Sequence, residues 1–227
     1  MPVPTANRPR ETAAPEGGPS SSNGPLTRED ILATTERVLR RFGPRKTTVV
    51  DVAHELGVSH AAVYRHFPSK AALRAAAVRG WLDRPHEELL EIAVSTRLAP
   101  RERLRAWLLS LFRTRRAQAD DEPELFAAFY ELAVEQGEAV REHVADLRRQ
   151  VAAILRDGQA DGSFVPLDHD ATEATASTVL DLMTRFQHPA HAHNWTRRGT
   201  IEQEFDQACD LILRGLCTER GGRPPGD

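Results

Sequence analysis

Residues 57–70 read GVSHAAVYRHFPSK, and this short run limits the fold more than any other part of the chain. Ser59 is a good helix N-cap and Phe67-Pro68-Ser69 a stop, which leaves room for about one and a half turns of helix at 3.6 residues per turn. Nucleating a helix costs more than the few hydrogen bonds of so short a piece return in water. It survives only where neighbours pack against it, so the run demands a helical cluster on one side and leaves the other side for a partner. Val58, Ala62, Val63 and Phe67 are the apolar residues available for the first task. His60, Ala61, Tyr64 and Arg65 remain for the second.

The flanking sequence supplies the neighbours. Thr27 and Asp30 form a capping-box-like pair ahead of Ile31, Thr35, Val38, Leu39 and Phe42, which recur at helical spacing, and Gly43-Pro44 ends that helix. Thr48 and Asp51 open another helix, with Val49, Val52, Ala53 and Leu56 inward and Gly57 closing it. Ser69 caps a further helix from Lys70 to about Trp81, whose alanines allow close approach to the first three. Downstream, helical patterns lie near 84–97, 101–117, 122–135, 138–159, 169–187 and 200–217, and none reads as a strand. In the fourth of these, Val140, Val144, Leu147, Val151, Ile154 and Leu155 form one stripe, with Arg141, Glu142, Arg148 and Arg149 opposite. An all-α chain of about nine or ten helices is expected: a three-helix head over 26–80 and a larger helical part over 81–218.

The net charge of −3 argues against a general coat for nucleic acid, but the charge is unevenly placed. Residues 27–80 hold ten Lys and Arg against five Asp and Glu, whereas 81–227 hold eighteen against twenty-six. A polyanion is therefore expected to meet the first part alone. Residues 1–25 and 219–227, rich in Pro and Gly and almost free of large apolar side chains, are expected to be disordered tails. No apolar run approaches a bilayer span and the start lacks the apolar core of a secretory signal, so a cytoplasmic location away from membranes is expected. Cys209 and Cys217, eight apart in a helical pattern, are about 12 Å apart in rise and cannot pair with each other.

Helix, glycine turn and short second helix is the helix-turn-helix arrangement, whose second helix enters the major groove of B-DNA. Small Ala61 and Ala62 permit close backbone approach and contact with a thymine methyl, His60 can reach a base edge, and Arg65 a base or a phosphate. Thr47, Thr48, Tyr64 and His66 offer donors to phosphate oxygens, and Lys70 sits at a helix N-terminus, where backbone N–H groups add positive potential. With Arg45, Lys46 and Ser59 these make up the candidate DNA-contacting set. The longer stretch TTVVDVAHELGVSHAAVYRHFPSKAAL, residues 47–73, resembles the signature of the TetR family of transcriptional regulators. The resemblance is close over 27–80 and architectural beyond. It implies a homodimer whose two heads sit in successive major grooves of a palindromic operator on double-stranded DNA, and a helical body in which an unknown small-molecule effector shifts their spacing. Thr47, Thr48, Tyr64, His66 and Lys70 would then hold phosphates, with His60, Ala61, Tyr64 and Arg65 nearest the bases. Ala61 stands where the family often has glycine, a change that bears on which bases are read.

For dimerisation the last two helices are the candidates. Ile201, Phe205, Ala208 and Ile212 form one stripe and Cys209, Leu213 and Leu216 a second, more apolar surface than one contact needs. The 169–187 helix is rich in Ala, Ser and Thr, which permits tight helix contact. Trp107, Phe112, Phe126, Phe129, Tyr130, Met183 and Phe186 are the candidates to line an apolar effector pocket, although aromatic residues at helical spacing pack more often than they bind and most of the set is expected to be core. His188, His191 and His193 have spacing loose enough for a transition metal but lack an accompanying cysteine or carboxylate motif, so no metal site or cofactor is assigned. DGQADGSFVPLD, residues 157–168, mimics a calcium loop, yet Gln159, Pro166 and Asp168 depart from it and a helix-to-helix turn with Gly158 and Gly162 explains it better. His143 beside Glu142 and Asp146 reads as a surface pattern. No nucleotide loop, nucleophile elbow or zinc-protease motif is present, so an enzyme is not expected. The competing reading is a small-molecule or metal-binding helical protein that acts through a protein partner without touching DNA.

Overall fold

The computed structural model describes residues 25–44, 47–188, 191 and 200–218. Arg45, Lys46, His193 and nearly all of both expected tails lie outside the described residues. The regular structure is helical apart from one isolated bridge, Phe164 to Cys217. The helices are α1 Arg28–Phe42, α2 Val49–Leu56, α3 His60–His66, α4 Lys70–Leu82, α5 His86–Val94, α6 Pro100–Asp121, α7 Pro123–Glu135, α8 Gly137–Ala160, α9 His169–Leu182, α10 Thr184–Gln187 and α11 Thr200–Leu216. Among the described residues there are thus eleven helices rather than nine or ten, because the one expected over 169–187 is two. It breaks at Met183, whose N–H is shared between the carbonyls of Val179 and Leu180 and whose side chain is fully buried. The change of direction brings Phe186 edge-on to both Phe112 and Phe205.

Local chemistry starts and stops the first four helices. Thr27 and Asp30 make a reciprocal capping box at α1, Thr48 and Asp51 another at α2, and Ser59 and Ser69 cap α3 and α4. Gly57 ends α2 at φ 67° and ψ 29°, a left-handed conformation that strains any residue with a Cβ. Two buried clusters result. The smaller joins Ile31, Val38, Val52, Val63, Phe67 and Leu73 from α1 to α4. The larger draws on α4 to α11 and includes Leu39. Helix α4 belongs to both: Leu73 enters the small cluster, while Ala77, Val78, Trp81 and Leu82 enter the large one. It runs without a break past residue 80, where the sequence reading placed the end of the head. Polar ties reinforce this joint, with Arg40 to Glu122 at 2.5 Å, Arg84 to Glu36 at 2.6 Å and Arg74 to Glu135 at 2.8 Å. Partly exposed pairs of this kind contribute about 0–1 kcal/mol each, so the apolar end of α4 dominates the connection.

The calcium-like segment is employed otherwise. Asp157 bonds Arg103 at 2.7 Å and Asp168 caps α9. Gly158 lies within α8 rather than in the turn, and Gly162, at φ 74°, makes the turn. A Cβ on Gly158 would run into the Phe164 ring, itself buried. Gly158→Ala is therefore expected to destabilise the fold by about 1–3 kcal/mol through overpacking, read by urea unfolding. A melting curve matching the parent would show that Phe164 has another place to go.

Both stripes of α11 named for dimerisation are used inside the chain: Ile201, Phe205, Cys209, Ile212, Leu213 and Leu216 are buried and Ala208 is partly so. The outer side of α11 instead exposes Gln203, Gln207, Leu211 and Arg214, and α9 exposes Ala174, Thr178 and Leu182. Leu211 and Leu182 are 67% and 60% exposed, large values for leucine. The expected stripes were misassigned because periodicity reports how much of a helix is apolar and not which neighbour covers it.

Candidate nucleic-acid interface and central cavity

Helix α3 is held from behind. Ala62, Val63 and Phe67 are buried, and the Ser59 hydroxyl accepts the Ala62 N–H at 3.3 Å. Arg28, at the start of α1, donates to the His66 carbonyl at 2.5 Å and lies 4.2 Å from the Phe67 ring centroid, which satisfies a carbonyl at the end of α3. The sequence reading missed this clamp, since nothing local marks Arg28 as a partner of a residue 38 positions on. The opposite side of α3 presents Ser59, His60, Ala61, Tyr64 and Arg65 to solvent, with Lys70 exposed at the foot of α4 and His66 half-buried. No other described residue engages the side chains of His60, Tyr64, Arg65 or Lys70 in a hydrogen bond or ion pair.

Three members of the candidate set are placed differently. Ala62 is buried, on the side of α3 turned away from solvent, and does not stand with Ala61 on the exposed side. Thr47 is 3% exposed and its hydroxyl donates to the Gly43 carbonyl at 2.8 Å. The Thr48 hydroxyl is committed to the capping box, donating to Asp51 at 2.5 Å and accepting from its N–H. Neither hydroxyl is available to a phosphate in this arrangement, since capping and burial have first use of them. Arg45 and Lys46 lie outside the described residues.

The head is a capped helix-turn-helix with an exposed polar side, carried by a larger helical body. The family model for bacterial regulatory proteins of the tetR family matches residues 31–77, and the model for the tetracyclin repressor-like C-terminal domain matches residues 100–209. The chain belongs to the TetR family of transcriptional regulators. It is similar to the HTH-type transcriptional repressor KstR2 of Mycolicibacterium smegmatis, with 26% identity over 220 residues, covering 90% of this chain and 98% of that protein. In fold it is similar to SmeT, the repressor of the Stenotrophomonas maltophilia multidrug efflux pump SmeDEF, with TM-score 0.62, 19% identity and coverage of 88% and 95%. It also resembles a transcriptional regulator from Pseudomonas aeruginosa PAO1, with TM-score 0.63, 20% identity and coverage of 83% and 88%. As a TetR-family protein it is a DNA-binding regulator, which removes the reading of a helical protein that works without DNA. Among the described residues no helix is long and apolar enough to cross a membrane.

The body of this TetR-family protein encloses a cavity of about 290 Å³ between α4, α6, α7, α8, α9 and α10. Leu82, Leu111, Val140, Leu147 and Leu180 give it apolar walls, and Val134 and Val144, 70% and 47% exposed, stand at its mouth. Of the residues expected to line a pocket, Tyr130 lines this one, while Phe112, stacked on Phe205 at 4.6 Å, borders a separate pocket between α6 and α11. Others pack: Trp107 is fully buried with its indole N–H on Gln150 at 2.9 Å, and Met183 and Phe186 enter the core. Phe126 and Phe129 pack on Trp81, which itself lines the cavity. Aromatic residues at helical spacing fill cores before they line voids, and only the packing of α4 against α7 and α8 decides where a void remains.

The polar wall was largely unforeseen. Arg115 is buried; it donates to Gln118 at 3.0 Å and to the Leu82 carbonyl at 3.0 Å, and lies 3.2 Å from His143 Nε2. A guanidinium only donates, so Nε2 accepts and His143 carries its proton on Nδ1, donating to Asp83 at 2.9 Å. His143 is thus not on the surface, and its carboxylate partner is Asp83 across the fold rather than Glu142 or Asp146. Burial pushes the His143 imidazole below its ordinary 6.5, the bond to Asp83 opposes this, and the Arg115 charge adds to it. Burial pushes Asp83 up, but the His143 bond and the Arg79 charge hold its carboxyl below 3.8. Because His143 binds a proton more readily when unfolded, the unfolded state gains protons as pH falls from 6.5 toward the depressed native value. Stability should therefore decline across that window and be fully present above it. His143→Gln should flatten that slope in melts between neutral and mildly acidic pH; an unchanged slope would assign it to His188, whose ring burial also depresses.

Proposed function

We propose that this chain is a homodimeric repressor whose two heads occupy successive major grooves of a palindromic operator and are released when a small-molecule effector fills the central cavity. The observation that carries the reading is the outward side of α3: His60, Ala61, Tyr64 and Arg65 stand together on one exposed side, with Lys70 beside them. An α-helix fits the major groove, and the set mixes groups that read base edges with groups that hold phosphate. Support for the dimer comes from the exposed Leu182 and Leu211, flanked on α9 by the small side chains of Ala174 and Thr178. Support for effector control comes from the position of the cavity, walled on one side by Trp81 and Leu82 of the helix that also enters the core of the head. Repression also agrees with the names of the KstR2 and SmeT relatives. A gel-shift experiment on DNA upstream of the protein's own gene tests it. A salt-sensitive complex at a palindromic site is expected, and the absence of any sequence-selective complex at moderate salt overturns it.

A further inference from the structure

We infer that the cavity takes an organic acid with a compact apolar body, its carboxylate received by Arg115 and Gln187. The inference rests on the reading of this cavity as the effector site and names the chemical class it admits. Arg115 lines the cavity and is buried, yet among the described residues no carboxylate lies within ion-pair distance of it; its partners are a carbonyl, an amide oxygen and an imidazole nitrogen, all neutral. A buried cation without an adjacent counter-ion is unfavourable, and burial pushes its pKa down to about 10. Asp83, the carboxylate that favours its charge, is already bonded to His143. The Gln187 amide nitrogen, in the lining of the same cavity, is buried with no hydrogen-bond partner among the described residues. The amide therefore awaits an acceptor and the guanidinium a counter-charge, and a carboxylate, with two oxygens and one negative charge, supplies both. One cation matches one negative charge; a phosphate dianion would leave a second charge buried near Asp83.

The remaining charges agree. Asp181 also lines the cavity, but it is exposed, so it stands in water at the rim where its repulsion is screened. The ring of His188, at the same end, has its pKa depressed by burial and by His191, which favours its neutral form. Apolar walls at Leu111, Val140, Leu147 and Leu180 suit a hydrocarbon body, and a volume of about 290 Å³ limits it to a small one. The site is also placed to signal. The Arg115 guanidinium that would receive the acid donates to the carbonyl of Leu82, the last residue of α4, so a bound carboxylate competes for the group that holds the end of that helix.

The test uses the full chain with matched sets of phenyl- and cyclohexyl-alkanoic acids, each beside the primary amide and the primary amine of the same skeleton. Binding is read by calorimetry and operator release by fluorescence anisotropy. At least one acid should bind about tenfold or more tighter than its amide, with its amine weaker still. Arg115→Gln should bring acid and amide to parity. Gln187→Leu, which leaves the Arg115–Leu82 bond alone, should weaken the acid several-fold and hardly touch the amine. Equal binding of acid and amide, preference for amines, or no acid binding at millimolar concentration overturns the inference. Acids that bind with this preference but leave the operator complex intact uphold the acid site and overturn the effector reading beneath it.

Discussion

Replacing Tyr64 and Lys70 together by alanine will lower affinity for the operator about a hundredfold, and will weaken binding to unrelated DNA in the same proportion. Tyr64 is 47% exposed on the outer side of α3 and Lys70 is exposed at the first position of α4, so both can reach the sugar-phosphate backbone of a groove that α3 enters. Hydrogen bonds to a charged group contribute about 1.5–3 kcal/mol each, and two of them at the lower bound give roughly two orders of magnitude. Only Lys70 neutralises a phosphate, so the slope of log affinity against log salt should shrink by about one. Neither side chain enters the core, and the melting temperature should stay where it was. His60→Ala is the contrast: it should shift base preference more than overall affinity, because histidine at the start of α3 is placed for a base edge. Anisotropy titrations on operator and scrambled duplexes at several salt concentrations separate the two. A Tyr64/Lys70 variant that loses the operator alone, or a His60 variant that weakens all sequences equally, would reverse these roles.

Trp81→Ala should cost about 3–5 kcal/mol of stability. The indole is 2% exposed, stacks on Phe129 at 5.1 Å and 9°, meets Phe126 edge-on at 5.5 Å, and lies 5.2 Å from the Arg115 guanidinium. No smaller side chain satisfies these neighbours at once, and the hole would open into the existing cavity instead of collapsing. Since Trp81 sits near the end of α4, which contributes side chains to both cores, the variant should also bind operator less well at temperatures where the parent is fully folded. Urea unfolding followed by circular dichroism checks the first part, with exposed Val94→Ala as a control expected within about 0.5 kcal/mol. A loss for Trp81→Ala no larger than the control's would mean that α4 is held to the body by its ion pairs after all.

Much of the head was legible because its signals are local. A threonine and an aspartate three apart satisfy each other's backbone groups whatever surrounds them, so the starts of α1 and α2 could be read directly. Gly57 closes α2 for an equally local reason, its positive φ. The same locality misled at Thr47 and Thr48: hydroxyls that look free on paper are used by the caps and carbonyls that define the fold. In the body, the extent of most helices was readable from apolar spacing, while the assignment of their sides was not. Arg115 stands in a run with Arg113 and Arg116, and no residue-level signal separates the buried one from its neighbours. Gly158 looked like a turn residue until Phe164 was found against it.

The amino-acid order by itself determined where the helices of the head begin and end, that a short helix at 60–66 needs support from behind, and which of its side chains are left facing out. These depend on hydrogen bonds and spacing within about four residues, at a range where composition is geometry. Only the tertiary structure decided that α4 serves two cores, that the aromatic residues fill space and leave a void between α4, α7 and α8, and that Arg115, His143 and Asp83 meet there. Those facts depend on which apolar sides of distant helices face one another, and burial is a property of the assembled packing that no single segment carries.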